Sequence, residues 1–205
     1  MTIFVINIGD TGYSQYSIPL IQKLAAYNGI KIFILDRDIS QNTNHVHPSW
    51  LKLFCHDIID DDFIILWDLD LVPTKLYSLP ELFNTTIFNM CYDTSYLINQ
   101  PFNDKFKYNC GLIGVPKSYS SFLKEVYSLS KNSALPSFEQ YHLNNILYDT
   151  KIPVNVLPQE LNHMYVGSID NTSLNMHYTY LIRDNDHRKE LVALHYQLFK
   201  NNFFI

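Results

Sequence analysis

The sequence predicts an α/β protein with a mostly parallel central sheet flanked by helices, folded as a single domain over residues 1–205. Short apolar runs of strand length alternate with longer stretches of helical periodicity, which is typical of β-α-β units. The chain is long enough for one domain with a full core. Hydrophobic residues make up 47% and charged residues only 17% of it, a balance typical of globular proteins.

The first 35 residues have the pattern of one β-α-β unit. Residues 2–8 predict a buried strand, residues 14–28 predict a helix that ends at Gly29, and residues 31–35 predict a second strand. The two strands of such a unit run parallel, so the loops that follow them meet at one edge of the sheet. Asp10 and Asp36 follow the two strands and are therefore candidate ligand-binding residues, with turn formation and strand capping as the alternative roles.

Residues 63–67 are the stretch on which the functional prediction depends. Five apolar residues lead directly into Asp68 and Asp70, which predicts a strand buried on both faces that ends in two carboxylates. Residues i and i+2 of an extended chain lie on the same side, so the two carboxylates repel each other. A divalent cation such as manganese, magnesium or calcium would relieve that repulsion. The sequence therefore predicts a metal site at the end of this strand, where open α/β sheets bind ligands, with a solvated strand end as the alternative.

The elements on either side of this strand follow a similar alternation. Residues 48–59 predict a helix that carries Lys52, and residues 79–83 predict a short helix before a strand at 86–92. A surface loop is expected over residues 95–106, a strand over 108–116, a helix over 117–130 and a short strand over 152–157. The strand at 108–116 contains Gly111 and Gly114, which indicates that another group approaches its backbone closely.

The last third of the chain supplies a candidate acid and a candidate third metal ligand. Ser137 and Gln140 have capping-box spacing, and Glu139 lies on the same helix face as the apolar residues that follow it. Glu139 is therefore either a partner of the helix dipole or a functional acid. His195 ends a short apolar segment at residues 191–196, and we expect it to be the third ligand in preference to three other histidines, namely His163, His177 and His187.

Charge and cysteine content exclude several other classes of protein. The net charge is −5 and no run of lysine or arginine is present, which argues against nucleic acid as a partner. Three cysteines without C-x-x-C spacing argue against a zinc site and favour a reducing cytoplasm. The N-terminus lacks the pattern of a signal peptide, and no apolar run is long enough for a membrane span. We therefore expect a cytoplasmic protein without a transmembrane segment; its oligomeric state is unknown from sequence.

The order of these features resembles that of the glycosyltransferases with a GT-A, or Rossmann-like, domain. The closest resemblance is to the family that contains glycogenin and the bacterial lipopolysaccharide galactosyl- and glucosyltransferases. It extends over most of residues 2–200. The matching features are, in order, the β-α-β unit, Lys52, Trp67-Asp68-Leu69-Asp70, Asn109-Cys110-Gly111, Glu139-Gln140-Tyr141-His142-Leu143-Asn144 and His195.

This resemblance implies the transfer of a sugar from a nucleotide-diphosphate donor, usually a UDP-sugar, to a hydroxyl of a glycan, glycoconjugate or protein. It implies manganese as the cofactor, with magnesium as a second possibility, held by Asp68, Asp70 and His195. Asp68 would also contact the ribose, and Lys52 would lie near the donor. Residues 1–75 would form the nucleotide-binding half and residues 76–205 the acceptor side. The residues implied to line the nucleoside are Asn7, Gly9, Asp10, Tyr13 and Asp36.

The resemblance also implies which residues take part in catalysis. Glu139 and Gln140 would flank the reacting carbon, and Asn109 and Gly111 would border the sugar or the acceptor. The Glu-Gln pair implies transfer with retention, whereas an inverting enzyme would use an acid such as Glu139 as its base. One departure concerns the family pattern His-x-x-Gly-x-x-Lys: read from His195, the sequence has no glycine and its lysine comes one position early.

Two other functions are compatible with parts of the sequence. Residues 68–72 match the D-x-D-x-V signature of a haloacid-dehalogenase-like phosphatase, but the later G-D-x-x-x-D element of that family is missing and a complete β-α-β unit precedes the motif. A non-catalytic module that binds a nucleotide or a glycan is the second alternative. Metal-dependent turnover distinguishes it from a transferase.

Overall fold

The computed structural model describes residues 1–9, 11–36, 48–94, 104–131, 139–165, 167–170, 172–178 and 184–204. Strands and α-helices alternate along these residues and are joined by short 3-10 helices. The strands are β1 Thr2–Ile6, β2 Lys31–Leu35, β3 Phe63–Trp67, β4 Leu71–Pro73, β5 Phe88–Tyr92, β6 Tyr108–Pro116, β7 Val154–Val156, β8 His163–Met164 and β9 Asn175–His177. The α-helices are α1 Ser14–Tyr27, α2 Cys55–Ile58, α3 Ser120–Lys131, α4 Glu139–Thr150 and α5 Asn185–Phe199. The 3-10 helices are Pro48–Phe54, Pro80–Leu82, Asp104–Phe106, Lys117–Tyr119, Gln159–Asn162 and Lys200–Asn202.

Six strands form the central sheet in the order β2-β1-β3-β6-β5-β7. Strand β1 pairs in parallel with both β2 and β3, as the β-α-β pattern predicts. Strand β6 runs antiparallel to β3 and to β5, while β7 is parallel to β5. All strands of this sheet except β6 therefore run in one direction, and the prediction of a mostly parallel sheet is confirmed.

Strand β3 is buried along its whole length, because helices cover both faces of the sheet. Phe63, Ile65 and Trp67 belong to the core that includes residues of α1 and α5. Ile64 and Leu66 point the other way, into the core formed with α3 and α4. Burying an aliphatic side chain of this size contributes about 1.5–3 kcal/mol. The apolar run thus anchors the strand whose end carries the two carboxylates.

Asp68 and Asp70 lie in a turn, not in an extended strand as the sequence predicted. The Leu71 N–H donates to the Asp68 carbonyl at 3.0 Å, which closes a four-residue turn between β3 and β4. Strand β4 leaves the central sheet and pairs with β9 in a small second sheet, where Leu71 lies opposite His177. The turn brings the two carboxylates together, and the pairing of β4 with β9 brings a histidine beside them.

Several predicted helices differ from the observed ones. The helix expected over residues 48–59 is a 3-10 helix up to Phe54 and an α-helix only over Cys55–Ile58. Residues 50–53 are buried in succession, so this segment is enclosed on several sides and has no single apolar face. The helix expected over 79–83 is a 3-10 helix at Pro80–Leu82. Most of the loop expected over residues 95–106, and Ser137 of the capping box, lie outside the described residues.

The short segment predicted over residues 191–196 is the interior of helix α5. Asp184 caps this helix, since its side chain accepts a hydrogen bond from the Asp186 N–H. Leu191, Val192 and His195 lie on its buried face. None of the helices in the described parts of the chain is both long enough and apolar enough to cross a membrane.

Candidate functional site

A cleft of about 790 Å³ lies at the edge of the central sheet where β1 and β3 end. Its volume is in the range of small-molecule binding sites. The predicted site residues that line it are Tyr13, Lys52, Asp68, Asp70, Asn109, Gly111, Glu139 and Gln140. Among the described residues, Asn7, Gly9, Asp36 and His195 are not part of this lining, and Asp10 lies outside the described residues.

Two carboxylates and one imidazole converge at the centre of the cleft. His177 Nε2 lies 3.3 Å from Asp70 Oδ1 and 4.0 Å from Asp68 Oδ2. One ligand atom of each of the three residues lies within 4.8 Å of the other two. Two carboxylate oxygens and one imidazole nitrogen suit manganese and related divalent cations. The three side chains therefore fit a divalent-metal site.

The second oxygen of each carboxylate is held by a cation. Lys52 Nζ lies 2.5 Å from Asp68 Oδ1, and Arg188 Nη1 lies 3.4 Å from Asp70 Oδ2. These contacts leave Asp68 Oδ2 and Asp70 Oδ1 on the side of His177. Each carboxylate can therefore offer one oxygen to a metal while the other stays in an ion pair.

Lys52 is buried and contacts three acceptors. Besides Asp68, its ammonium group donates to Glu139 Oε1 and to the Cys110 carbonyl, each at 2.9 Å. Burial alone would lower the pKa of Lys52, but the two carboxylates raise it well above its ordinary value. Lys52 is therefore a fixed positive charge between the carboxylates of Asp68 and Glu139.

The pKa values of the two carboxylates of the turn are shifted in opposite directions. Burial raises the pKa of Asp68, and the nearby charge of Asp70 adds to this effect while Lys52 opposes it. Burial also acts on Asp70, but His177 and Arg188 outweigh it and hold the pKa of Asp70 below its ordinary value. Asp70 is thus the carboxylate whose anionic form the site favours more strongly.

Glu139 and Gln140 begin helix α4 and face the cleft with different partners. Burial would raise the pKa of Glu139, but Lys52 and the Ser49 hydroxyl lower it below its ordinary value. The side-chain oxygen Oε1 of Gln140 accepts from the Cys110 N–H at 2.9 Å, and its side-chain nitrogen Nε2 donates to Asp93 at 2.7 Å. Glu139 is therefore an ionised group in a buried pair, and Gln140 connects α4 to β6.

His177 is also held on the side away from the carboxylates by Asn162, which is bonded in turn to Asn109. Its Nδ1 atom lies 2.7 Å from Asn162 Oδ1, and Asn162 Nδ2 donates to Asn109 Oδ1 at 2.9 Å. Gly111 lies so close that a Cβ atom there would overlap the imidazole ring, which confirms the predicted close approach at this glycine. Asn109 therefore bonds the residue that holds His177, and Gly111 lies next to the imidazole ring itself.

His195 does not lie with the carboxylates, and its prediction as the third metal ligand was wrong. Its Nδ1 atom lies 2.9 Å from the Tyr178 hydroxyl and its Nε2 atom 2.9 Å from the Pro73 carbonyl. Both ring nitrogens are thus used inside the core. His177 takes the predicted place, because β9 pairs with β4 directly after the Asp68–Asp70 turn.

Three residues of the site were missed from sequence: His177, Asn162 and Arg188. His177 has a signal, since Arg183 follows it by six positions, the spacing between histidine and lysine in the pattern His-x-x-Gly-x-x-Lys. Arg183 lies outside the described residues. Asn162 and Arg188 have no such signal, because the fold alone brings Arg188 to the cleft and Asn162 to the buried side of His177.

No protein-family model matches the sequence, and no curated protein sequence is significantly similar to it. Solved structures do match. A glycosyltransferase involved in the glycosylation of the major capsid of the virus PBCV-1 has a TM-score of 0.69 at 14% identity, over 95% of this chain and 100% of that chain. LgtC, a galactosyltransferase solved with donor and acceptor sugar analogues, has a TM-score of 0.62 at 13% identity, over 95% of this chain and 96% of its own.

The glycosyltransferase GlyE of Streptococcus pneumoniae matches with a TM-score of 0.64 at 14% identity. That match covers 99% of this chain but only 62% of GlyE, so this chain spans less than two thirds of that protein. The identities are too low to carry an activity from one protein to another. The likenesses show that this chain has the fold of the GT-A glycosyltransferases.

Proposed function

We propose that this protein is a metal-dependent glycosyltransferase that takes a sugar from a nucleoside-diphosphate donor, most simply a UDP-sugar. The observation that carries the proposal is the cluster of Asp68, Asp70 and His177 at the end of β3, inside a cleft large enough for such a donor. The fold, which is that of glycosyltransferases, makes sugar transfer the chemistry to test first.

The cluster supplies what departure of a nucleoside diphosphate requires. When bound, a manganese or magnesium ion would neutralise negative charge that grows on the diphosphate as the bond to the sugar breaks. The buried ammonium group of Lys52 forms an ion pair with Asp68 and so holds this carboxylate in place. Arg188 sits on the other side, against Asp70, and also hydrogen-bonds Tyr13. The site therefore combines two carboxylates with cations on both flanks.

The remaining residues of the cleft fit the donor and a hydroxyl acceptor. Tyr13 and Thr11 line the cleft next to the end of β1, and the Thr11 hydroxyl is buried without a hydrogen-bond partner among the described residues. Such a group is available to a ligand. Glu139 and Gln140 line the same cleft, which supports the proposal that they face the sugar. The nucleoside roles of Asn7, Gly9, Asp10 and Asp36 stay predictions.

Retention of the anomeric configuration is the stereochemical outcome that we propose. Inversion needs a general base on the acceptor hydroxyl. Glu139 lines the cleft, but its pairing with buried Lys52 lowers its pKa and makes it a weak base. This supports retention.

We also propose that the protein works in a reducing compartment, and the three free, buried cysteines support this.

Thermal unfolding with UDP, GDP and ADP, each with and without manganese, tests the proposal. A ligand at 100 times its Kd adds about 2.7 kcal/mol. For a chain of this length, we therefore expect a rise in Tm of roughly 5 to 11 °C with one nucleotide, and only when manganese is present. The absence of a shift with all three nucleotides would contradict it.

Three variants assign the effect to the cluster. Asp70→Asn and His177→Gln should greatly reduce the manganese-dependent shift, because the first removes the negative charge of the carboxylate and the second removes the imidazole nitrogen. His195→Gln is the matched control, since it changes a buried histidine that bonds Tyr178 and Pro73 instead, and it should keep the shift. Loss of the shift in His195→Gln, with retention in His177→Gln, would reverse the ligand assignment.

Turnover separates a transferase from the two alternatives. Release of UDP from a UDP-sugar, dependent on manganese and on Asp70, is expected of a transferase, which hydrolyses its donor slowly without an acceptor. Release of phosphate from phosphate esters would support the phosphatase, which the fold does not favour. Nucleotide binding without any turnover would support the binding module.

A further inference from the structure

A buried chain of hydrogen bonds runs from the backbone of β6 to the imidazole of His177. The Gly111 N–H donates to Asn109 Oδ1 at 2.8 Å, and Asn162 Nδ2 donates to the same oxygen at 2.9 Å. Asn162 Oδ1 then lies 2.7 Å from His177 Nδ1. Asn162 is completely buried, and Asn109 and His177 are 3% and 4% exposed, so water does not compete for these groups.

The direction of every bond in this chain follows from its first member. A backbone N–H can only donate, so the Asn109 atom that faces Gly111 must be the oxygen. That oxygen accepts, so Asn162 turns its amide nitrogen towards Asn109. Asn162 therefore presents its oxygen to His177, and an oxygen at 2.7 Å requires a proton on Nδ1.

A neutral imidazole with its proton on Nδ1 has its lone pair on Nε2. Nε2 is the atom that lies beside Asp70 Oδ1 and Asp68 Oδ2. In the other tautomer, lone pairs of His177 and Asn162 would face each other at hydrogen-bond distance. The chain of bonds thus selects the tautomer in which His177 can ligate a metal.

We propose that Asn162 is a positioning residue that, through Asn109 and the Gly111 N–H, keeps His177 in the tautomer and orientation needed for metal binding. Gly111 contributes a second constraint, because its missing side chain leaves the space in which the ring lies. The effect on metal affinity rests on the proposed function, whereas the tautomer is a property of the metal-free protein. Hydrogen-bond partners of this kind change metal affinity typically by about 10- to 100-fold.

The tautomer is measured without metal, by long-range ¹H–¹⁵N correlation of the histidine rings. When the pH is raised until the ring is fully neutral, His177 should lose the proton on Nε2 and keep the one on Nδ1, which Asn162 Oδ1 accepts. Asn162→Leu should shift His177 towards the other tautomer or a mixture. A neutral wild-type ring that keeps the proton on Nε2 and loses the one on Nδ1 would overturn the proposal without any variant.

Metal affinity is measured by the loss of the free Mn²⁺ EPR signal in the presence of UDP. Asn162→Leu should raise the Kd for Mn²⁺ by about 10- to 100-fold. The matched control is Asn155→Leu, which also removes a hydrogen bond between two asparagines. Asn155 Nδ2 donates to Asn89 Oδ1 at 2.8 Å, where β7 pairs with β5. The control should lose stability but bind Mn²⁺ with the wild-type Kd.

The outcomes separate this inference from the proposed function. Equal Mn²⁺ affinity in wild type and in folded Asn162→Leu would overturn the role of Asn162 and leave the metal site intact. A wild-type protein that binds no Mn²⁺ would overturn the metal site itself, while the tautomer measurement would still stand. An equal loss of affinity in Asn155→Leu would show a general effect of destabilisation and would also overturn the role of Asn162.

Discussion

Lys52 Nζ lies 2.9 Å from Glu139 Oε1, and both side chains are only 5% exposed. The pair joins the 3-10 helix before α2 to the first turn of α4. Lys52 also contacts Asp68, so one buried cation stabilises acidic groups from two other parts of the chain. Because a buried charge without its partner is costly, the three side chains depend on one another.

Lys52→Met should therefore destabilise the protein strongly. Removing one partner of a buried pair typically costs about 3–5 kcal/mol, since the remaining charge stays unpaired. For this chain length, Tm should fall by roughly 6 to 20 °C. Urea unfolding of wild type and variant at pH 7 measures the change in the free energy of unfolding.

Two further variants show whether the buried charge is the cause. Lys52→Met combined with Glu139→Met should recover part of the lost stability, because it removes the unpaired carboxylate. Lys117→Met is the control, since it breaks an exposed pair with Asp60 and should leave the free energy of unfolding close to that of wild type. Lys52→Met with the stability of this control would contradict the prediction.

His195 should make the stability depend on pH. Burial lowers the pKa of His195 to about 4, whereas an unfolded histidine titrates near 6.5. Between these two values the unfolded chain binds a proton that the folded protein does not. The contribution of the neutral ring to the free energy of unfolding is therefore complete above pH 6.5 and is lost as the pH falls towards 4. Between pH 7 and pH 5 the free energy of unfolding should fall by about 2 kcal/mol for this reason.

Comparison with His195→Gln isolates this effect, because glutamine can still bond Tyr178 or Pro73 but does not titrate. The free energy of unfolding, measured in urea at pH 7 and at pH 5, should fall less in the variant than in wild type. An equal fall in both proteins would show that other groups cause the pH dependence.

Gly111→Ala should remove metal binding while Gly114→Ala does not. A Cβ atom at Gly111 would overlap the His177 ring, and one at Gly114 would come within 2.6 Å of Phe83. Both substitutions overpack the interior and should cost about 1–3 kcal/mol. Only Gly111→Ala should also abolish the manganese-dependent rise in Tm with nucleotide. Retention of that rise in Gly111→Ala would show that His177 can move without loss of the metal.

The parts of the fold that sequence predicts well are those with local patterns. The apolar run of β3 ends where two carboxylates begin, and burial on both faces leaves it no other role than a central strand. The β-α-β unit is similarly defined by strand and helix periods and by Gly29. Lys52, Glu139 and Gln140 were predicted from family order and lie in the cleft.

His177 and Asn162 reach the site through pairing that sequence does not specify. Strand β9 has three residues and pairs with a three-residue β4, so neither has a period long enough to recognise. His195, by contrast, follows an apolar run, but that run is the buried face of α5 and takes the ring into the core. An apolar context indicated burial in both cases and could not indicate which histidine was near Asp70.

The anomeric configuration of the product depends on whether Glu139 acts as a base. With an α-linked UDP-hexose, the first product of transfer or hydrolysis should be the α-anomer, because the pairing with Lys52 lowers the pKa of Glu139 and makes it a weak base for inversion. Proton NMR recorded before mutarotation identifies the anomer. Glu139→Gln should lower kcat while the Kd for UDP with manganese changes less.

A β-anomer would contradict the prediction and would give Glu139 the role of general base. In that case Glu139→Gln should lower kcat by roughly 10²- to 10⁴-fold and remove a limb of the pH–rate profile. Gln140→Glu is the matched variant on the same turn, since it leaves the Lys52–Glu139 pair intact while it removes the N–H that Gln140 donates to Asp93 and places a second carboxylate there. An α-anomer from this variant, as from wild type, would show that the outcome is set by the cleft and not by the charge at the start of α4.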